Sequence, residues 1–350
     1  MTLYIFMAFL PLLLIPFFPN VNTDRKQKKY YCIIMGIALI LFLALRHRAL
    51  GSTDTINYYN GMKDAILSKT WNQYYDPDGA ELGFQIFVWI ISRFVKSPQW
   101  IIVFSSVIIV TSVLIFVWRN SKNIPLSVTM YICLGLMTFQ MQGMRQALAM
   151  SICLFAYEFA KRRKIIPFAL LVLLATQFHQ TAIVFAVVYV FGYLKLKASH
   201  LLLVLSAAGV VTLLSDKIID FANELFDRNY SNTVDSGGVI ATAIYILIMV
   251  FCILASKQPY AEHIDATLFY VLLTGFVCFA MRYFGTLAAE RISFYFMFSQ
   301  IVLLPNTVCE GQIKSSDKGV VNMIVYLLSI ALFAYRMAGS DFVPYRFFWG

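Results

Sequence analysis

Long apolar runs separated by short polar ones repeat along almost the whole chain. The clear runs cover 3–18, 30–45, 100–118, 124–141, 143–160, 199–215, 239–255, 267–284, 289–304 and 320–337. Most approach the ~20 residues that a helix needs to cross the hydrocarbon of a bilayer. Two shorter runs, 165–178 and 181–194, flank Phe178-His179-Gln180, and a third, 83–95, follows the longest polar stretch. These three are short for a full crossing, so their placement must come from charge. The polar stretch 46–82 has a period of its own. Gly51 breaks the preceding run, Ser52 or Thr53 can cap a new helix, and Ile56, Tyr59, Met62 and Ile66 then recur at three- and four-residue steps. That spacing predicts an amphipathic helix on the membrane surface. The expected fold is all-α and polytopic, a single integral membrane domain over 1–350. It carries an external amphipathic loop at 46–82 and a second external loop at 216–238.

Composition supports the pattern and excludes a soluble protein. Hydrophobic residues make up 60% of the chain, against 28 Lys+Arg and 18 Asp+Glu, where a soluble chain is about one quarter charged. The first residues, MTLYIFMAFLPLLL, lack the basic start of a signal peptide and are expected to form a retained first span. Lys and Arg near a membrane report orientation. With Arg25, Lys26, Lys28 and Lys29 taken as cytoplasmic, a full crossing by 83–95 would put Lys161-Arg162-Arg163-Lys164 outside. If 83–95 is re-entrant or interfacial, Arg119 and Lys122, the 161–164 cluster, Lys195 and Lys197, Lys257, and Lys314 and Lys318 all fall inside. The parity of these loops predicts about twelve crossings with both termini outside. A re-entrant pair at 165–194 would leave the rest of the parity unchanged.

On that topology the inside carries 15 Lys+Arg against 6 Asp+Glu, and the outside 13 against 12. Nearly all of the +10 net charge is therefore orientation signal. The outer face is nearly neutral, but nine of its cations are arginines: Arg46, Arg48, Arg93, Arg145, Arg228, Arg282, Arg291, Arg336 and Arg346. Several sit at the ends of apolar runs, where a charge is costly and usually functional. Arginine suits planar, bidentate contact with phosphate better than lysine does. The six cysteines stand singly, with no metal-ligand or disulfide spacing, and neither a metal nor a cofactor is expected. Walker A, GxSxG, HExxH and cytoplasmic DxD patterns are absent, which weakens ATP-driven transport and soluble-donor glycosyl transfer. The external loops suggest no nucleic-acid partner.

Five constellations can carry chemistry. Arg46, Arg48 and Asp54 meet at the membrane boundary. The arginines would neutralise phosphate, and Asp54 either caps its helix or orients a hydroxyl or an arginine. Trp71, Tyr74 and Tyr75 precede Asp76, Asp78 and Glu81; aromatics among carboxylates suit sugar rings, although an interfacial aromatic belt fits the first three as well. Glu81 heads the 83–95 run and is either paired with an arginine or catalytic. Arg145 and Gln146 open a helix whose first amides favour an anion, while Ala147, Ala149 and Ser151 also suit helix packing. His179, a residue type that titrates near neutrality, sits at the tip of the 165–194 hairpin on the arginine side, as a proton acceptor, a substrate contact or a satisfied core residue. Arg282 and Arg291 flank a short external turn, where either Glu290 or a lipid diphosphate would separate them.

Arg46…Gly51-Ser52-Thr53-Asp54-Thr55…Tyr58, Glu81-Leu82-Gly83-Phe84, Met144-Arg145-Gln146-Ala147-Leu148-Ala149, Phe178-His179-Gln180-Thr181-Ala182 and Glu290-Arg291…Tyr295 together resemble the EpsG-type branch of Wzy-like polysaccharide polymerases. The likeness spans roughly residues 1–300. It implies an enzyme of the bacterial cytoplasmic (inner) membrane, multi-pass, with its active site facing the periplasm or exterior. Its architecture would be similar to that of membrane glycosyltransferases using lipid-linked donors, with metal-independent catalysis. The partners implied are the bilayer, a polyprenyl-diphosphate-linked oligosaccharide such as an undecaprenyl diphosphate glycan, and a chain-length regulator. The product would be an exopolysaccharide, O-antigen or capsule.

The expected reaction is glycosyl transfer with inversion. Arg46, Arg48, Arg145, Arg282 and Arg291 would hold the diphosphate. Tyr58, Gln146 and Tyr295 would touch sugar. His179, ahead of Asp54 and Glu81, would take the acceptor proton. A flippase of the same lipid-linked glycan is the main alternative, but it should show basic sites toward both leaflets and internal repeats, whereas the arginines here concentrate outside. A membrane O-acyltransferase is the second; it needs a donor reached from the cytoplasm, and His179 faces outward.

Overall fold

The computed structural model describes residues 1–50, 53–214, 217, 238–255, 265–284 and 287–349. The expected loop 216–238, with Arg228, and the Gly51-Ser52 break fall outside the described residues except at isolated positions. The chain is 76% helical, with 17 α-helices and no strand among the described residues. Chain order runs α1 Thr2–Leu13, α2 Arg25–Ala44, α3 Thr53–Leu67, α4 Trp71–Tyr74, α5 Leu82–Ser92, α6 Trp100–Asn120, α7 Ile124–Cys133, α8 Leu136–Gln142, α9 Met144–Lys161 and α10 Ile165–Thr176. A 3₁₀ helix, Gln180–Val187, leads into α11 Val188–Phe191. Then come α12 Ala198–Leu213, α13 Val239–Leu254, α14 Ala266–Ala280, α15 Leu287–Met297, α16 Gln300–Glu310 and α17 Lys318–Ala338.

By length and composition α2, α6 and α17 can each cross a membrane. The pairs α7–α8, bent by 48°, and α15–α16, bent by 41°, qualify as broken spans, giving three to five candidate crossings. Leu170 (63% exposed), Leu247 (66%) and Leu328 (65%) are among many large apolar side chains that face outward. An apolar exterior of this extent needs lipid to cover it. In contrast, every residue of α7 is buried, so this helix forms the axis around which the others pack.

The polar connections fall into two groups at opposite ends of the bundle. The 18-residue α9 is about 27 Å long, with Arg145 at one end and Lys161 at the other. At the Lys161 end, Lys161 pairs with Asp265 (2.9 Å) and Lys122 with Glu310 (3.2 Å). There the Lys122 amide donates to Asn306 Oδ1, the Ile124 amide to Asn22 Oδ1, and Asn123 Nδ2 to Asn322 Oδ1. At the Arg145 end, Gln99 Nε2 donates to the Ala44 and Arg46 carbonyls (2.8 and 3.0 Å) and the His47 amide to the Arg346 carbonyl. The loops around Asn22, Lys122, Lys161 and Glu310, which the charge rule assigns to one side, thus gather at one end among the described residues.

Helix α5 is short for a crossing. Its 11 residues reach about 17 Å against ~30 Å of hydrocarbon. Its preceding residue, Glu81, contacts Arg145, and Gln99, just beyond its end, is bound at Ala44 and Arg46. The segment leaves and returns at the same end. Helix α3 is the expected amphipathic helix and packs against α5, burying Met62 and Ala65 with Phe84, Val88 and Ile91. Arg93 clamps the pair by donating to the Ala65 and Ser68 carbonyls.

Candidate functional site

Three chain segments bring a polar residue to the Arg145 end, each at the start of a helix. Glu81 precedes α5, Arg145 is the second residue of α9, and His179 precedes the 3₁₀ helix. Arg145 Nη1 donates to Glu81 Oε2 at 2.8 Å, His179 Nδ1 lies 3.2 Å from Glu81 Oε1, and the Gln180 amide donates to the same Oε1 at 3.2 Å. The Glu81 side chain is 5% exposed; those of Arg145 and His179 are each 24% exposed. Burial alone would raise the Glu81 carboxyl, but the His179 hydrogen bond and the Arg145 charge outweigh it and hold the group at about 2. Glu81 is therefore a carboxylate, able only to accept, so the contact is made by a proton on His179 Nδ1, and the neutral tautomer with that proton carries its lone pair on Nε2.

Local sequence explains the convergence. A Cβ on Gly83 would lie 2.7 Å from both the Cβ and the carbonyl oxygen of Gln177, so only glycine lets α5 begin against the hairpin. The Phe84 amide then donates to that carbonyl (3.1 Å). Beside Glu81 a 430 Å³ cavity opens between the 75–82 loop and residues 176–183, with Tyr75, Gln85 and Gln180 in its wall. Gln85 shapes the loop, donating from Nε2 to the Asp76 and Ala80 carbonyls and accepting from the Asp76 amide. This role is missed from sequence; its only signal is a lone amide inside the apolar run FQIFVWI.

The other expected site residues are distributed around this centre. The Arg145 guanidinium lies over the Tyr58 ring, 5.9 Å from its centroid, and Asp54 stands one helical turn before Tyr58. Gln146 is buried and donates to the Arg291 carbonyl (2.6 Å), while the Arg291 side chain is exposed. Tyr295 is buried and accepts from Thr181 Oγ1 (3.3 Å). Arg48 is exposed over the Tyr59 ring (4.6 Å). Arg46 is not brought to the open cluster. It is 2% exposed and spends Nη1 and Nη2 on the Leu43 and Met141 carbonyls (2.6 and 3.1 Å), fastening the ends of α2 and α8. Arg282 has its backbone in the 3₁₀ turn Met281–Phe284, and its side chain lies outside the described residues. Trp71 stacks on Tyr75, and Tyr74 on Trp89, forming an aromatic platform on α5.

An all-helical, lipid-covered bundle with a charged cluster at one end defines a membrane protein with a polar site at its margin. The profile of the EpsG family matches residues 29–347, and the chain belongs to that family. Membership suggests a polysaccharide polymerase-type membrane protein with glycosyltransferase-like chemistry. No curated protein and no solved structure matches the chain.

Proposed function

We propose that this protein is a polysaccharide polymerase that joins polyprenyl-diphosphate-linked repeat units at the outer face of the bacterial cytoplasmic membrane. In the proposed topology of about twelve crossings, the Arg145 end faces outside. The observation that carries the reading is Glu81, which holds a guanidinium with one oxygen and an imidazole with the other. His179 Nε2 takes the proton of the acceptor hydroxyl, whose oxygen attacks the anomeric carbon. The bond from that carbon to the diphosphate oxygen breaks from the opposite face, so configuration inverts. Arg145, with Arg48, Arg282 and Arg291, meets the charge that develops on the diphosphate; Glu81 steadies the imidazolium as it forms. Asp54 supports Tyr58, which touches sugar. Gln146 and Tyr295 set the wall behind it, and Arg46 holds the α2–α8 junction.

The test is incubation of the purified chain with lipid-linked repeat unit alone. Ladders of longer glycan are expected from the wild type and none from His179→Ala, which should still insert and bind the lipid. Arg145→Ala should lower elongation by ~10²–10³-fold, the typical effect of removing a donor to developing charge. Transbilayer movement without elongation would identify a flippase instead, and normal chain lengths in His179→Ala would remove the histidine from its role.

A further inference from the structure

A second cavity, of 420 Å³, lies behind α15. The Arg291 carbonyl and the Tyr295 hydroxyl of α15 meet Gln146 and Thr181 on the side of the first site. Glu290, Phe294 and Met297, at positions i, i+4 and i+7, form the face that lines the second. Arg336 of α17 completes the opposite wall. Its guanidinium lies against Gly135, the break in the α7–α8 span, where φ is +98° and a Cβ would come within 2.7 Å of Nη1. The bend of the buried span is thus shaped around this arginine.

Two polar groups in the lining are unspent. Gln300 is 2% exposed, and its Nε2 has no hydrogen-bond partner among the described residues. Tyr245 is 1% exposed, and among the described residues its hydroxyl lies beside the Ser293 hydroxyl without a well-formed hydrogen bond, the Ser293 proton going to the Glu290 carbonyl at 2.6 Å. A buried amide donor left unpaired is costly unless a ligand completes it. An acyl chain could not do so. Charge narrows the ligand further: Arg336 and Glu290 interact electrostatically and cancel formally, so the described lining offers no excess positive charge to a diphosphate. An amide, a phenol, one charge of each sign and the rings of Phe279 and Phe294 are the complement of a neutral polyhydroxyl ring.

We propose that this cavity is a glycan subsite that holds a neutral sugar of the substrate, separate from the reacting pair at Glu81 and His179. The source of that sugar rests on the polymerase reading, but its binding does not require turnover. The full chain in lipid nanodiscs is titrated with the methyl glycosides of glucose, galactose and N-acetylglucosamine, and with inorganic pyrophosphate, reading the melting temperature. At least one glycoside should raise it saturably, and Gln300→Leu and Tyr245→Phe should each weaken that response at least tenfold. Without ligand, Gln300→Leu should melt higher than the wild type, because the unpaired amide is gone; a purely structural glutamine would give the reverse. Glu81→Gln should keep the glycoside response while making no polymer.

The subsite is overturned if no glycoside acts, if both variants respond as the wild type does, or if pyrophosphate is the ligand whose effect depends on Gln300. Gln300-dependent glycoside binding by a wild type that never elongates would sink the polymerase reading and leave the subsite standing. Elongation without such binding would do the opposite.

Discussion

Glu81 has two charged or titratable partners and a backbone amide, and it is the residue on which the site turns. Its carboxyl ordinarily titrates at 4.5 and is held at about 2, because the His179 hydrogen bond and the Arg145 charge exceed the effect of burial. A carboxyl whose folded value is the lower one adds stability that is complete above the unfolded value and disappears as pH falls through the folded one. The detergent-solubilised protein should therefore lose melting temperature between pH 4.5 and about 2, and Glu81→Gln should lack that component. Near neutrality the same variant should be destabilised by an amount between the ~1 kcal/mol of an exposed pair and the ~3–5 kcal/mol of breaking a buried one. Equal pH profiles for the two proteins would show that the triad does not form. The sequence made Glu81 conspicuous as a carboxylate heading an apolar run. It did not choose between arginine partner and proton acceptor; the contacts with both Arg145 and His179 come from chain segments 64 and 98 residues away.

At the scale of elements, the site depends on short helices meeting end to end. The hairpin can bring its tip to Glu81 partly because residues 180–187 are 3₁₀, rising about 2 Å per residue rather than 1.5. Gly83 supplies the other half of the junction. Gly83→Ala should place a methyl group 2.7 Å from the Gln177 carbonyl oxygen and cost about 1–3 kcal/mol as an overpacked contact. Hydrogen exchange at the Phe84 amide should quicken as its bond to Gln177 opens, and elongation should fall with it. Unchanged protection at Phe84 would mean that α5 does not rest on the hairpin. Periodicity revealed α3 and the shortness of 83–95, because amphipathic spacing and length are local properties. It could not show that α3 docks on α5, since Met62 and Ala65 look the same facing lipid headgroups or another helix.

At the scale of the molecule, two ends with different chemistry are joined by a lipid-covered bundle. In a cysteine-free background, Asp78→Cys should react with a membrane-impermeant maleimide in intact cells, and Lys164→Cys only after permeabilisation. Labelling of both from one side would contradict the separation of the ends. The charge rule made that separation legible because insertion reads lysines and arginines in short loops, a property of sequence. Apolar run lengths likewise determined the membrane setting and the all-helical fold, since a backbone in hydrocarbon must satisfy its own hydrogen bonds. Tertiary structure alone decided how the arginines divide their work. From sequence Arg46 and Arg145 are equivalent charges at the ends of apolar runs, yet one is consumed by the carbonyls of Leu43 and Met141 and the other is held by Glu81. Only the fold could also set Arg336 and Gln300, 36 residues apart in sequence, around one cavity. The physical reason is the same in each case: charge and hydrophobic period act along the chain, whereas the role of a polar group is fixed by whichever distant partner the packing brings within hydrogen-bond reach.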